Sequence, residues 1–280
     1  MGAWIMAGVT FREAARKRIL WMALAAGAAF IALFSTGLYF QLKDQTHPAN
    51  PLITREAVNS VLMVGLYAVD ALAIVMTVLT SVDTLSGEIA SGTIHAVAAK
   101  PISRWQVLIG KWLGFVGMVT LYVALMVGGI TLVTYALSAH FISGVTPPHL
   151  LRGTFLIWLE CVLLLSLTFL FGTSFSALTN GVMALGLHGL AFIGGWTEEI
   201  GAVVHSQRAV NVGIVASLII PSETLWRRAV FEMQSPLMGV LRFGPFSNAS
   251  VPSGAMVAYA AIYLAVALGL AIRRFGRRDL

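Results

Sequence analysis

Long apolar runs without an ionised side chain recur along this chain and constrain its fold more than any other feature. A helix of about 20 apolar residues crosses a hydrocarbon core about 30 Å thick. These runs make the chain 58% hydrophobic and only 11% charged, whereas soluble domains are about 45–50% apolar and about 25% charged. A soluble fold could not bury this much apolar surface. The sequence therefore predicts an all-α membrane protein.

Six spans are predicted from the apolar runs. They lie at residues 19–40, 58–81, 112–137, 154–178, 181–195 and 254–272. The first run follows a basic cluster and is too long for the apolar region of a typical cleaved signal peptide. No internal repeat is evident, so we predict a single transmembrane domain over residues 1–280 with no soluble domain fused to it.

Basic residues concentrate before the first span, between the second and third spans, and after the last span. They are Arg12, Arg16, Lys17 and Arg18, then Lys100, Arg104 and Lys111, then Arg273, Arg274, Arg277 and Arg278. The positive-inside rule then predicts that both termini are cytoplasmic. The net charge of +6 reports this topology and contact with anionic lipid headgroups. Because the basic residues form no soluble face, nucleic acid is not an expected partner.

Two further segments are expected to be helical without spanning the membrane. Thr10 and Glu13 have capping-box spacing, which predicts an interfacial helix over residues 10–18. The outer segment 197–252 contains two helical patterns joined at Pro221. There we expect interfacial or re-entrant helices, and Arg227 is expected at the outer membrane interface.

The loop at residues 86–104 is an organised interruption between the second and third spans. Its sequence predicts a short helix with Ile94 and Val97 on one face. Pro101 ends this helix because it cannot continue the hydrogen-bond ladder. The loop is therefore expected to form a rigid cytoplasmic projection.

A second helix begins directly after this loop and becomes the third span. Ser103 and Gln106 form a capping box at its start. Lys111 is expected to extend its side chain to the headgroups. Gly110 and Gly114 lie four residues apart, which allows another helix to approach closely.

Several kinds of chemical site are excluded by the motifs that the sequence lacks. Gly110-Lys111 lacks the glycine and hydroxyl positions of a phosphate-binding loop, because tryptophans occupy them. No HExxH or GxSxG motif occurs, and His188 is the one histidine in a predicted span. Cys161, the single cysteine, is expected to be a buried structural thiol. The chain is therefore not expected to be an enzyme.

Two carboxylates fall inside the predicted spans. Asp70 lies in the middle of the second span and Glu160 about two turns into the fourth. A charge at the bilayer centre costs about 2.5–3.5 kcal/mol on insertion scales, so it should face protein or water. Asp70 is either part of a transport or proton pathway or a residue that holds helices together by hydrogen bonds. Glu160 lies nearer the interface, and we expect it to reach water.

The 86–104 loop and its flanks contain three short motifs in a fixed order. Glu88 is followed by Gly92-Thr93, then by PISR at 101–104, then by LIGKWLG at 108–114. This order resembles the signature of ABC-2 type transporter permeases, which typically carry E-x-x-x-G-T, P-[IV]-S-R and L-G-K-x-L-G at this spacing. The stretch LIIPSETLWR at 218–227 is similar to sequences in the branch of this family that includes permeases for nitrous oxide reductase maturation.

This resemblance implies a function and a set of partners. Such permeases form homodimers in the bacterial or archaeal inner membrane, and each copy pairs with a cytoplasmic ATPase that binds ATP and magnesium. This chain itself would hold no cofactor. The loop would be the coupling helix that docks on the ATPase. Its expected coupling residues are Glu88, Gly92, Thr93, Ile94, His95, Val97, Lys100, Pro101, Ser103 and Arg104. The chain would then be the permease subunit of an ATP-driven exporter.

One alternative from a different class remains open. An ion-coupled secondary transporter would use Asp70 as its proton site. Such transporters usually contain repeats or helices broken near the membrane midplane, and neither is evident in the sequence.

Overall fold

The chain folds as a bundle of helices. The computed structural model describes residues 2–44, 51–91, 103–138, 146–235 and 251–277, and every regular element in these ranges is an α-helix. The helices are α1 Gly2–Arg16, α2 Arg18–Asp44, α3 Pro51–Ala90, α4 Arg104–Ser138, α5 Pro147–Gly172, α6 Ala177–Val203, α7 Gln207–Ile219, α8 Ser222–Met233 and α9 Gly254–Arg277. The predicted all-α class is confirmed.

Six of the described helices are long and apolar enough to cross a membrane, as predicted. They are α2, α3, α4, α5, α6 and α9. The 40 residues of α3 correspond to a length of about 60 Å. This helix therefore extends well beyond a hydrocarbon core of about 30 Å, and its last turns form part of the site described below.

The centre of the bundle is formed by α3 and α5. In the most apolar 18-residue stretch of each helix, 61% of α3 and 72% of α5 is buried inside the bundle, against 17% of α2 and of α9. Leu66 on α3 and Leu163 on α5 are fully enclosed. Because α5 packs against α3, α4, α6, α8 and α9, a polar side chain in its middle is shielded from both lipid and water.

The N-terminal helix α1 packs along the beginning of α4. It begins at Gly2, so the prediction of a helix start at Thr10 is wrong, and Thr10 is buried within the helix. The close approach depends on Gly110 and Gly114, as predicted. A Cβ at these positions would lie 2.6 Å from the carbonyl oxygen of Ala3 and 2.8 Å from that of Ala7. We call this side of the bundle the α1 end.

Helices α7 and α8 form a bent hairpin. Their axes meet at 108° across the break at Ile220-Pro221, which agrees with the two helical patterns seen in the sequence. Helix α7 packs on α6, and α8 packs mainly on α5. The break at Pro221 matches the sequence pattern, whereas the sequence did not show that the two helices together form a broken or re-entrant span.

The boundary between the fourth and fifth spans differs from the predicted one. Helix α5 ends at Gly172, whereas the apolar run extends to Leu178, which lies in α6. Thr173 closes the helix because both its backbone N–H, at 3.3 Å, and its hydroxyl, at 2.6 Å, donate to the carbonyl oxygen of Leu170. Ser176 then begins α6, since its hydroxyl accepts from the N–H of Thr179.

Candidate functional site

A partly buried ion pair joins the two helices that flank the predicted coupling loop. The ammonium of Lys111 on α4 donates to the carboxylate of Glu88 on α3. Lys111 is only 3% exposed, so the prediction that it extends to the headgroups is wrong. A paired buried charge resists separation, because removing one partner leaves the other desolvated. We call this pair, with the helix ends that carry it, the stem.

The start of α4 is fixed at the same end of the bundle. The carbonyl oxygen of Ser103 accepts from the N–H of Gln106 at 2.9 Å, which begins the helix. The guanidinium of Arg104 donates to the carbonyl oxygen of Gly276 on α9 at 3.4 Å. Glu88, Ser103 and Arg104 thus lie at the base of the loop. The remaining predicted coupling residues lie outside the described ones: Gly92, Thr93, Ile94, His95, Val97, Lys100 and Pro101.

Hydrogen bonds between helices extend the stem into the bundle. The amide of Asn180 on α6 donates to the carbonyl oxygens of Val82 on α3, at 3.1 Å, and Thr168 on α5, at 2.9 Å. The hydroxyls of Ser81 and Thr168 are 2.8 Å apart. Movement of the stem would therefore displace α3, α5 and α6 together. Sequence reasoning missed Asn180, although an amide at the beginning of a span is a recognisable signal.

A polar cavity of about 440 Å³ opens beside the stem. Its wall includes Glu13 and Lys17 from the beginning of the chain, and Asp83 and Glu88 from α3. The cavity separates α1 from the end of α3. It leaves space for these two elements to move relative to each other.

A second group of polar side chains lies in the middle of the bundle. Its members come from α3, α5, α6 and the hairpin, and we call them the central polar cluster: Asp70, Glu160, His188, Ser222 and Glu223. The structure thus brings together the two predicted pathway residues with three residues that sequence reasoning did not assign to a site. The carboxyl groups of Asp70 and Glu223 both lie in the neighbourhood of that of Glu160.

His188 connects two members of this cluster. Its Nδ1 lies 3.6 Å from Oε1 of Glu160 and 3.2 Å from the hydroxyl of Ser222 at the hairpin tip. The N-cap position of α8 is Pro221, so Ser222 is the first residue of this helix rather than its cap. The Ser222 hydroxyl instead contacts the histidine, which ties the hairpin tip to α6.

The two predicted pathway residues are enclosed by protein. Glu160 is 0% exposed and Asp70 is 5% exposed. The expectation that Glu160 reaches water is wrong, because α5 is covered on several sides by other helices. Within the described ranges, no group of His, Cys, Asp or Glu side chains could hold a metal ion. Cys161 is buried and free, as expected.

A buried ion pair anchors the hairpin near its far end. Arg227 on α8 donates to both oxygens of Glu198 on α6, at 2.8 and 3.3 Å, and lies 3.6 Å from Glu199. Arg227 is only 6% exposed, so its predicted interfacial position is wrong. The signal for this contact is the pair of acidic residues at the end of an otherwise apolar helix.

The architecture and the stem define a class of protein. A bundle with six helices apolar enough to cross a membrane, a polar stem at one end and a helical hairpin on one side is the architecture of a multi-pass membrane protein. The family model described as ABC-2 family transporter protein matches residues 4–280, and the chain belongs to this family. No curated protein matches the chain.

Proposed function

We propose that this chain is the permease subunit of an ATP-binding cassette transporter and works with a separate cytoplasmic ATPase. The family membership supports a transporter. The observation that carries the proposal is the stem, because the Glu88–Lys111 pair joins α3 to α4, the helices that precede and follow residues 92–102. A force applied to this segment would reach α3 and α4 directly.

The coupling segment consists of residues from the end of α3, from the loop that follows, and from the start of α4. It comprises Glu88, Gly92, Thr93, Ile94, His95, Val97, Lys100, Pro101, Ser103 and Arg104. Ile94 and Val97 are the apolar contacts to the ATPase. ATP binding draws two ATPase subunits together, and the coupling segments follow. The stem then transmits this movement to α3, α5 and α6 through Asn180.

The assembly that we propose is a permease homodimer with two ATPase copies in a bacterial or archaeal inner membrane. The α1 end faces the cytoplasm, in agreement with the distribution of basic residues. ATP and magnesium belong to the ATPase, since this sequence contains no phosphate-binding loop. The substrate moves outward past Asp70 and Glu160. Both residues are buried within one subunit, so the hairpin must move to open this path.

The test is purification of the chain from its native membrane with an affinity tag. We expect a P-loop ATPase to co-purify. Val97→Asp places a charge in the apolar contact, and loss of such a contact costs about 2 kcal/mol, or roughly 30-fold in affinity. ATPase recovery, and the stimulation of its activity by the permease, should both fall.

A matched control is Val251→Asp, because Val251 precedes α9 at the opposite end of the bundle and is exposed. This variant should retain the ATPase. Equal recovery with Val97→Asp and the wild type would contradict docking through this segment. Absence of any ATPase from the wild-type complex would contradict the proposed function itself.

A second candidate function is proton-coupled transport, because Asp70 lies in a carboxyl cluster beside a broken helix pair. Coupling-ion sites of secondary transporters have this location. Asp70→Asn should then abolish transport without changing ATPase recovery. Asp83→Asn, at an exposed position on the same helix, is the matched control. Full transport by Asp70→Asn would exclude this candidate.

A further inference from the structure

Glu160 is an acidic side chain without compensation for the water that it has lost. It is 0% exposed, and neither carboxyl oxygen accepts a hydrogen bond from any residue that the structure describes. An isolated carboxylate in such surroundings is very costly, and a buried acid becomes neutral instead. The position therefore favours a bound proton.

The groups facing Glu160 do not supply a permanent positive partner. The groups near Glu160 are Asp70 from α3, the adjacent Cys161, His188 from α6 and Glu223 from α8. Beyond them lie Tyr67 beside Asp70 and Glu223, Tyr122 beside Cys161, and Arg227 beside Glu223. The buried surface of α9 consists of Ala260, Ala267, Ala271 and Phe275. Arg227 is held by Glu198 and Glu199. Asp70 and Glu223, when ionised, carry the same negative charge as an ionised Glu160, so they disfavour its ionisation.

His188 is the group that can exchange a proton with Glu160. Its Nδ1 is 3.6 Å from Oε1 of Glu160, slightly beyond hydrogen-bond distance. The histidine side chain is 18% exposed, so part of the imidazole reaches the surface of the subunit. Imidazole is the side chain suited to this exchange near neutral pH.

The hairpin tip lies directly against this pair. Ser222 begins α8 just after the 108° bend, and its hydroxyl is 3.2 Å from Nδ1 of His188. The same nitrogen therefore faces both Glu160 and the hairpin. Helices broken near the midplane are where membrane proteins commonly place ion sites. The helix break is a second observation, independent of the carboxyl groups.

We propose that Glu160 and His188 form a proton-binding site that holds the α7–α8 hairpin in its docked position. With the proton on Glu160, neutral Nδ1 of His188 accepts from the Ser222 hydroxyl. Transfer of the proton to Nδ1 gives a carboxylate and an imidazolium, and the Ser222 hydroxyl loses its acceptor. Departure of the proton to solvent leaves a buried carboxylate without a hydrogen-bond donor, and undocking of the tip then admits water to it.

Cys161 supplies a reporter for this opening. It neighbours Glu160, is fully buried and is the one cysteine in the sequence. The full-length chain is placed in lipid nanodiscs, and its reaction with a membrane-permeant maleimide is followed across pH. An exposed reference thiol, Ser174→Cys in a Cys161→Ala background, corrects for the intrinsic effect of pH on thiols. No ATPase is needed, so the result is independent of the proposed function.

The comparison is between the wild type, Glu160→Gln and the exposed control Glu13→Gln. We expect corrected labelling of wild type and Glu13→Gln to accelerate as pH rises. Glu160→Gln cannot ionise, so it should lose this pH dependence and remain slowly labelled. An identical corrected profile in Glu160→Gln and wild type overturns the proposal.

Infrared spectroscopy keeps the proposal testable if Glu160→Gln fails to fold. Wild-type protein labelled with ¹³C in its glutamate carboxyl groups should show an isotope-shifted C=O band of a protonated acid that persists above the pH at which exposed glutamates ionise. The band should remain in Glu223→Gln, and its midpoint should shift in His188→Gln. Absence of the band, or its loss in Glu223→Gln, overturns the assignment to Glu160.

Discussion

Replacing Arg227 by methionine tests whether the buried ion pair holds the hairpin in place. The guanidinium binds both oxygens of Glu198 and lies near Glu199, in a position only 6% exposed. Arg227→Met keeps most of the side-chain volume but strands these carboxylates away from water. Breaking a buried pair in this way costs about 3–5 kcal/mol, which corresponds to at least roughly 100-fold in a local equilibrium.

Hydrogen exchange of the α8 amides in lipid nanodiscs measures this effect, because exchange reports the free energy of local opening. We expect exchange in α8 to accelerate by about 100-fold or more, while the core of α3 remains protected. Arg227→Met combined with Glu198→Gln should recover part of the loss, because the amide removes one stranded charge.

The matched control is Arg152→Met. Arg152 also faces a carboxylate of α8, at 3.7 Å from Glu232, but its side chain is 66% exposed. Exposed pairs contribute about 0–1 kcal/mol, since water and salt screen them. If Arg152→Met and Arg227→Met accelerate exchange equally, the argument from desolvation is refuted.

Three further substitutions test contacts at the α1 end. Gly114→Ala places a Cβ 2.8 Å from a backbone oxygen of α1, so amide hydrogen exchange in α1 should accelerate. Gly117→Ala, with its nearest atom 3.7 Å away, should leave this exchange unchanged. Equal exchange in both variants would contradict close packing. Asn180→Ala removes the amide that satisfies two buried carbonyls, and should lower the free energy of unfolding by about 1–3 kcal/mol. Asn211→Ala, at an exposed position, should cost much less, and denaturant titration compares the two. Lys111→Met leaves the partner carboxylate on α3 unpaired and should lower the free energy of unfolding by about 1–3 kcal/mol, less than for a fully buried pair because that carboxylate is partly exposed. Lys111→Arg should retain most of the stability. An unchanged midpoint of denaturant unfolding in Lys111→Met would show that the pair contributes nothing.

The six spans were predictable because hydropathy depends on local composition alone. The same is true of the Gly110–Gly114 spacing, which indicated a close helix contact before its partner α1 was known. Pro221 likewise marked the break between α7 and α8. Each of these signals lies within a few neighbouring residues.

The central polar cluster could not be assembled from the sequence because its members are distant along the chain. Glu160 was expected to reach water from its depth along one helix, but other helices cover that position. Arg227 was placed at the interface because an arginine usually requires water, yet Glu198 and Glu199 replace the water. Burial of a charge depends on its partner, and a single helix pattern does not show the partner.

The buried polar face of α8 has a consequence for the order of biogenesis. Ser222, Glu223, Thr224 and Arg227 are all enclosed, and such a helix cannot partition into lipid alone. It packs against α3, α5, α6, α7 and α9, and all of these except α9 leave the ribosome before it. The hairpin can therefore pack against α3, α5 and α6, which are already synthesised when it emerges. A chain shortened after α8 should still assemble this part of the bundle during synthesis.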